Sequence, residues 1–313
     1  MRKFISIFLV TLILVSLAAC GSEAPMATTA APATQTVSTT EAAPSNVYYN
    51  TKWDGKSLKV LCVGNSFARN ATKHLYQIAE AHGVEQIVLG VLHIGGCTVE
   101  KHWSNVKNES ASYSYYKNTT GKWELTENAT LLYGLQDEQW DVITITQGQG
   151  LYGIPKSYDG CLEELVGYIT ENKTNPGAQI AFHMTWAFPQ DSTNKRFDHY
   201  ANDQETMFQC IVDTARERVL PADGIDFLLP SGTAIQNVRF PVGEIFFDED
   251  LFHLNSNGEL VAGYVWFAYL TGQPIEELKY FAQMSAMKST HQPILEAVNA
   301  AFRDPFTVTE ISK

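Results

Sequence analysis

Short apolar runs alternate with helix-spaced apolar patterns over most of this chain. Residues 57–63, 86–92, 141–146, 178–184 and 225–229 read as strands, several of them rich in β-branched side chains. Between them, 71–81, 162–169, 205–219 and 258–270 carry helical spacing, with Leu75, Ile78 and Ala79 marking the first helix. Near-continuous apolar strands alternating with helices predict an α/β fold, a parallel sheet covered on both faces. Right-handed crossovers then bring the C-terminal ends of all strands to one edge, where ligand sites form. Ser66, the pair Gly95-Gly96, Gln147 and Trp186 follow the first four strands, so they are expected on that edge.

The two ends of the pattern differ from the middle. Met1-Arg2-Lys3, an apolar run from Phe4 to Leu17 and Ala18-Ala19-Cys20 form a secretory signal. The run is shorter than the ~20 residues a membrane-spanning helix needs. Leu17-Ala18-Ala19-Cys20 resembles a bacterial lipobox, which implies cleavage before Cys20 and a lipid on its sulfur. Residues 21–50 are mostly Ala, Thr, Pro and Ser, too poor in large apolar side chains to fold, and read as a tether. Residues 51–313 then form one domain, on a lipid-anchored protein of the bacterial cell envelope.

The formal net charge of −12 becomes more negative once Arg2 and Lys3 leave with the signal. An acidic domain without a basic run excludes nucleic acid as the expected partner. Cys62, Cys97, Cys161 and Cys210 are widely spaced and read as free thiols; metal-ligand spacing is absent, and neither metal nor cofactor is expected.

Candidate chemistry sits near the two ends of the domain. Leu61-Cys62-Val63-Gly64-Asn65-Ser66-Phe67 closes the first strand on a serine, and Asp250-Leu251-Phe252-His253 precedes the last helix. A serine hydroxyl is a weak nucleophile until a histidine takes its proton, and a carboxylate must hold that histidine in the right tautomer. Ser66, His253 and Asp250 supply these three groups.

The two blocks together resemble the SGNH (GDSL-type) hydrolase superfamily, and more narrowly bacterial SGNH-like lipoproteins of unknown function with a Gly-Asn-Ser-Phe opening. The resemblance implies a three-layer α/β/α flavodoxin-like sandwich with strand order 2-1-3-4-5. It also implies a catalytic triad of Ser66, Asp250 and His253, and an oxyanion hole built from the Ser66 N–H, a glycine after the second strand and a side-chain amide after the third. Gly96 is preferred over Gly95 for the glycine, although a tight turn alone would also call for it. Many relatives carry Gly-x-Asn-Asp as the third block; here it reads Thr146-Gln147-Gly148-Gln149-Gly150. Gln147 is the candidate amide and Gln149 the runner-up, in the manner of some SGNH carbohydrate esterases.

Trp103 and Trp186 are candidate sugar floors with Gln149 beside them, against the alternative that either ring simply packs in the core. His102 reads as a surface or cleft-lining side chain. Residues 104–130, with Tyr113, Tyr115, Tyr116 and Trp123 among polar residues, form a long insert suited to a lid, a carbohydrate surface or a crossover. The leading expectation is a serine esterase that removes short acyl groups, O-acetyl first, from a carbohydrate. The alternative is a glycan-binding lipoprotein that kept the fold without turnover. A two-lobed solute-binding protein fits the placement of the two blocks poorly.

Overall fold

The computed structural model describes residues 48–281 and 288–311. The signal sequence, Cys20 and most of the tether lie outside the described residues. Tyr48, Tyr49 and Asn50, which composition assigns to the tether, pack on the domain. Tyr49 stacks on Phe302 with ring centroids 5.0 Å apart, and the Asn50 side-chain amide donates to Leu270 O at 2.8 Å.

In chain order the strands are β1 (Ser57–Gly64), β2 (Gln86–His93), β3 (Tyr113–Asn118), β4 (Trp123–Ala129), β5 (Val142–Thr146), β6 (Gln179–His183) and β7 (Phe227–Leu229). The helices are α1 (Ser66–Thr72), α2 (Leu75–Ala81), α3 (Val99–Lys107), α4 (Leu131–Gln136), α5 (Leu162–Asn172), α6 (Gln204–Thr214), α7 (Ser231–Val242), α8 (Ser256–Thr271) and α9 (His291–Arg303). The strands form one sheet of order β4-β3-β2-β1-β5-β6-β7. β2, β1, β5, β6 and β7 run parallel. Counted along the parallel strands alone this is the 2-1-3-4-5 order the resemblance implies.

The 104–130 insert is neither a lid nor a crossover loop. Its first residues finish α3, and the rest forms an antiparallel hairpin that extends the sheet beyond β2, pairing Val91 with Tyr116 and His93 with Ser114. Tyr113 and Tyr115 turn into the core, while most of β4 is an exposed edge bearing Glu124 and Glu127. Charges on an open edge discourage pairing with another chain.

Helices cover both faces. α8 is apolar all round and buried from Leu260 to Thr271, as expected of a helix surrounded by protein. It packs against α1 and α2 on one side and against α7 and α9 on the other. α3, α4 and α5 pack together as the second layer. The predicted 71–81 helix is two helices, the first starting directly at Ser66. The serine therefore opens a helix at the C-terminal end of the central strand.

Candidate active site

Asn65 makes the strand-to-helix turn. It is extended, and its side-chain oxygen caps α1 by accepting the Phe67 N–H at 3.0 Å. Its amide nitrogen donates to Cys97 O at 3.0 Å and to Gln147 O at 2.9 Å. One buried side chain thus joins the loops after β1, β2 and β5, which fixes Ser66 relative to both neighbours.

His253 comes from the segment between α7 and α8. The Asp248 N–H donates to His253 O at 2.9 Å, and Phe247 bridges Leu254, so the segment folds back on itself. Leu251 at its tip has φ +55°, a strained conformation for a branched side chain. Asn70, one turn after Ser66, grips the far side. It donates to Leu254 O at 3.1 Å and to Glu259 Oε1 at 2.9 Å, and accepts the Leu254 N–H at 3.3 Å. Trp186 Nε1 donates to Phe252 O at 2.8 Å. The histidine loop is therefore clamped to the serine helix.

The result is a linear relay. His253 Nε2 lies 2.7 Å from Ser66 Oγ, and His253 Nδ1 lies 2.6 Å from Asp250 Oδ2. The other Asp250 oxygen accepts the backbone N–H groups of Phe252 at 3.1 Å and His253 at 2.9 Å. Partial burial pushes the Asp250 carboxyl pKa up. The hydrogen bonds from the His253 backbone and ring and from the Phe252 N–H outweigh this, so the net shift is downward. Asp250 is thus held as a carboxylate, which favours an N–H on His253 Nδ1 and leaves Nε2 to accept the serine proton.

Ile94-Gly95-Gly96-Cys97 is a turn closed by the Cys97 N–H on Ile94 O at 3.1 Å. Gly96 has φ +62°, and both glycines line the cleft beside Ser66. The turn bond uses neither of their N–H groups. Gly148 packs beneath this turn. A Cβ there would stand 2.1 Å from Cys97 O, so only glycine lets the two loops meet.

Gln147 does not reach the cleft, contrary to the preferred sequence reading. Its side chain is fully buried, its oxygen accepts the N–H groups of Val99 at 2.9 Å and Gly148 at 3.0 Å, and its amide donates to Ser157 Oγ at 3.0 Å. Both acceptor directions of its oxygen and one of its two N–H groups are spent on bracing loops. Gln149 lines the cleft instead, in a left-handed conformation (φ +57°), with its side chain against Gly96.

Both tryptophan assignments are also corrected. Trp186 is fully buried beneath Phe67, ring centroids 4.6 Å apart, with its N–H consumed by Phe252. Trp103 sits half-buried on α3 below Lys107 and does not line the cleft. His102 is neither surface nor cleft. It is fully buried, its Nδ1 is 2.8 Å from Tyr113 OH, and desolvation pushes its pKa down to about 3. The four cysteines of the domain are free thiols, and among the described residues no three acidic, His or Cys side chains gather as a metal would require.

The cleft has a volume of about 500 Å³. Phe67, Tyr152, Phe188 and Phe252 make one aromatic wall; Gln149, Asn194 and Arg196 make a polar one. Phe252 also packs on the His253 ring, centroids 4.1 Å apart. Asn194 and Arg196 escaped the sequence reading. They lie in the long connection after β6, and nothing in Asn194-Lys195-Arg196 distinguishes it from a solvated loop. Tyr152 and Phe188 carry a signal as large aromatics shortly after β5 and β6, and Phe252 as the aromatic inside the Asp250–His253 block.

A family model described as "Domain of unknown function (DUF4886)" matches residues 59–302. The crystal structure of a DUF4886 family protein from Bacteroides uniformis superposes with TM-score 0.77 at 32% identity, covering 82% of this chain and 98% of that one. A Slackia heliotrinireducens protein described as a candidate SGNH hydrolase gives TM-score 0.44 at 17% identity, covering 68% of this chain and 99% of the other. An acetylxylan esterase from Geobacillus stearothermophilus gives 0.44 at 11%, covering 70% and 96%. These two overlaps are too loose to bear on chemistry. A search of curated proteins finds no match. The chain belongs to the DUF4886 family.

Proposed function

We propose that this protein is an SGNH-type serine esterase that removes short acyl groups, O-acetyl first, from a carbohydrate. The observation that carries the reading is the Asp250–His253–Ser66 relay, with contacts of 2.6 and 2.7 Å in an open cleft. Ser66 Oγ attacks the ester carbonyl as His253 Nε2 takes its proton. The N–H groups of Ser66 and Gly96 and the Gln149 amide stabilise the oxyanion. Collapse of the tetrahedral adduct breaks the bond to the sugar oxygen, which takes the proton from His253. Water then repeats the sequence on the acyl-serine, releasing the carboxylic acid and free Ser66. With the lipobox at Cys20, the enzyme would act from a lipid anchor outside the cytoplasm.

A glycan-binding lipoprotein without turnover is the second reading. The burial of Gln147 favours it, because the preferred amide donor is lost. Gln149 at the cleft wall supplies a replacement, and a binding protein has no need of a carboxylate-ordered histidine against a serine.

Hydrolysis of p-nitrophenyl esters of increasing chain length, together with acetate release from acetylated xylan, tests the proposal. The cleft must hold both acyl group and sugar, so kcat/KM is expected to fall by about tenfold or more from acetyl to octanoyl. A rate that instead climbs by roughly fourfold per added methylene, the signature of apolar burial, would mark a lipid esterase.

A further inference from the structure

Several of the described arginines are spent on carboxylates. Arg216 pairs with Asp213 and Glu217, Arg218 with Asp159 and Glu163, and Arg239 with Glu244. Arg69, Arg196 and Arg303 have no carboxylate within ion-pair distance among the described residues, although the chain carries 34 acidic side chains against 22 basic ones. Arg69 is covered by the Tyr116 and Trp123 rings and Arg303 lies in another groove, so Arg196 is the unpaired arginine that lines the catalytic cleft. None of the residues lining the cleft is acidic. Leaving a cation unpaired in so acidic a chain is what a site for an anion requires.

Its side chain is also held in place. Asn194 accepts the Arg196 backbone N–H at 3.1 Å, starting a short turn of 3-10 helix. The side-chain stem lies against Gly150, where a Cβ would come within 2.8 Å of the arginine Cβ. Nη1 donates to Gln149 O at 2.6 Å. That bond occupies one of five N–H donors and leaves the planar fork able to take a carboxylate bidentately. The same bond fixes Gln149, so the anion site and the oxyanion side of the cleft share one loop.

We infer that the cleft selects acyl esters whose sugar carries a carboxylate, with Arg196 as the residue that reads it. This rests on the esterase reading and names its substrate class as an acylated acidic sugar. An adjacent neutral wall of Phe188 and Phe252 takes the apolar face of the ring.

The test uses two pairs of aryl acetates, 3- and 4-acetoxybenzoate and the matching acetoxybenzamides, which differ mainly in charge. Each kcat/KM is divided by the ester's own rate of hydrolysis by hydroxide. In the wild-type enzyme the acid is expected to exceed the amide by about tenfold or more for at least one isomer. The ratio should drop to near one in Arg196→Gln and keep an intermediate value in Arg196→Lys, which retains charge without the fork. Ratios within one protein cancel any damage the substitution does to the chemistry. Should Arg196→Gln fold poorly, benzoate must still inhibit wild-type turnover of p-nitrophenyl acetate more strongly than benzamide. A wild-type ratio near one, a ratio that survives Arg196→Gln, or equal inhibition by benzoate and benzamide would overturn the inference. Failure of the esterase reading looks different: acetoxybenzoate turnover would be the same in Ser66→Ala as in wild type.

Discussion

Ser66→Ala is expected to lower kcat/KM for p-nitrophenyl acetate by about 10⁴-fold or more while leaving the melting temperature nearly unchanged. The size follows from what the hydroxyl does. Without it no acyl-enzyme forms, and His253 can only activate water that lacks the placement Ser66 has. Stability is spared because Ser66 Oγ is partly exposed and its bond in the free protein is the one to His253. The cap of α1 belongs to Asn65, and the clamp on the histidine loop belongs to Asn70. Both survive the substitution. Parallel assays of turnover and thermal unfolding separate this outcome from a folding defect.

Asp250→Asn is expected to cost about 10³–10⁴-fold in kcat/KM near neutral pH. An asparagine oxygen can still accept the Phe252 and His253 N–H groups that Asp250 Oδ1 accepts now. Its NH₂ then faces His253 Nδ1, which must become the acceptor. The ring proton moves to Nε2, the nitrogen that should receive the proton of Ser66, and the general base is lost. Sign and window follow from the lowered pKa of Asp250. The stabilisation it confers is fully present above the ordinary carboxylate pKa of about 4 and is lost only as pH falls through its lower folded value. Wild type and Asp250→Asn should therefore differ in activity across the whole neutral range, and a defect confined to acid pH would refute this assignment.

The parallel sheet was legible because its strands are buried on both faces. Runs such as Leu58 to Val63 and Val142 to Ile145 are almost wholly apolar, too short for a typical buried helix and rich in β-branched side chains, which marks them as strands. The hairpin β3–β4 was not, because β3 is held by β2, and β4 in turn by β3, rather than by a pattern of their own. Tyr113-Ser114-Tyr115-Tyr116-Lys117-Asn118 reads as a polar aromatic loop until β2 is beside it. α7 was hidden for a related reason. Gln236, Asn237 and Arg239 are buried in it; Asn237 is satisfied by Ala297 O and Thr309 N and Arg239 by Ala187 O, all far along the chain, while Gln236 accepts from Arg239.

At the site, backbone position was readable and side-chain direction was not. Ser66, Gly96, Asp250 and His253 gather at one sheet edge because topology carries them there. Gln147 and Gln149 are two residues apart on the same loop. Which of them faces the cleft depends on Val99 and Ser157 capturing the first, contacts that lie 48 and 10 residues away. Trp186 failed as a sugar floor for the same reason: Phe67 covers it, and Phe252 takes its N–H.

The central claim is that Ser66 is a nucleophile activated by His253. Treatment of the full chain with diethyl p-nitrophenyl phosphate, followed by peptide mass spectrometry, tests it most directly. One diethylphosphoryl group is expected on the peptide containing Ser66, with activity lost in proportion to labelling and no label in His253→Ala. An unlabelled Ser66 in protein that still hydrolyses acetyl esters, or an equal label without His253, would contradict it.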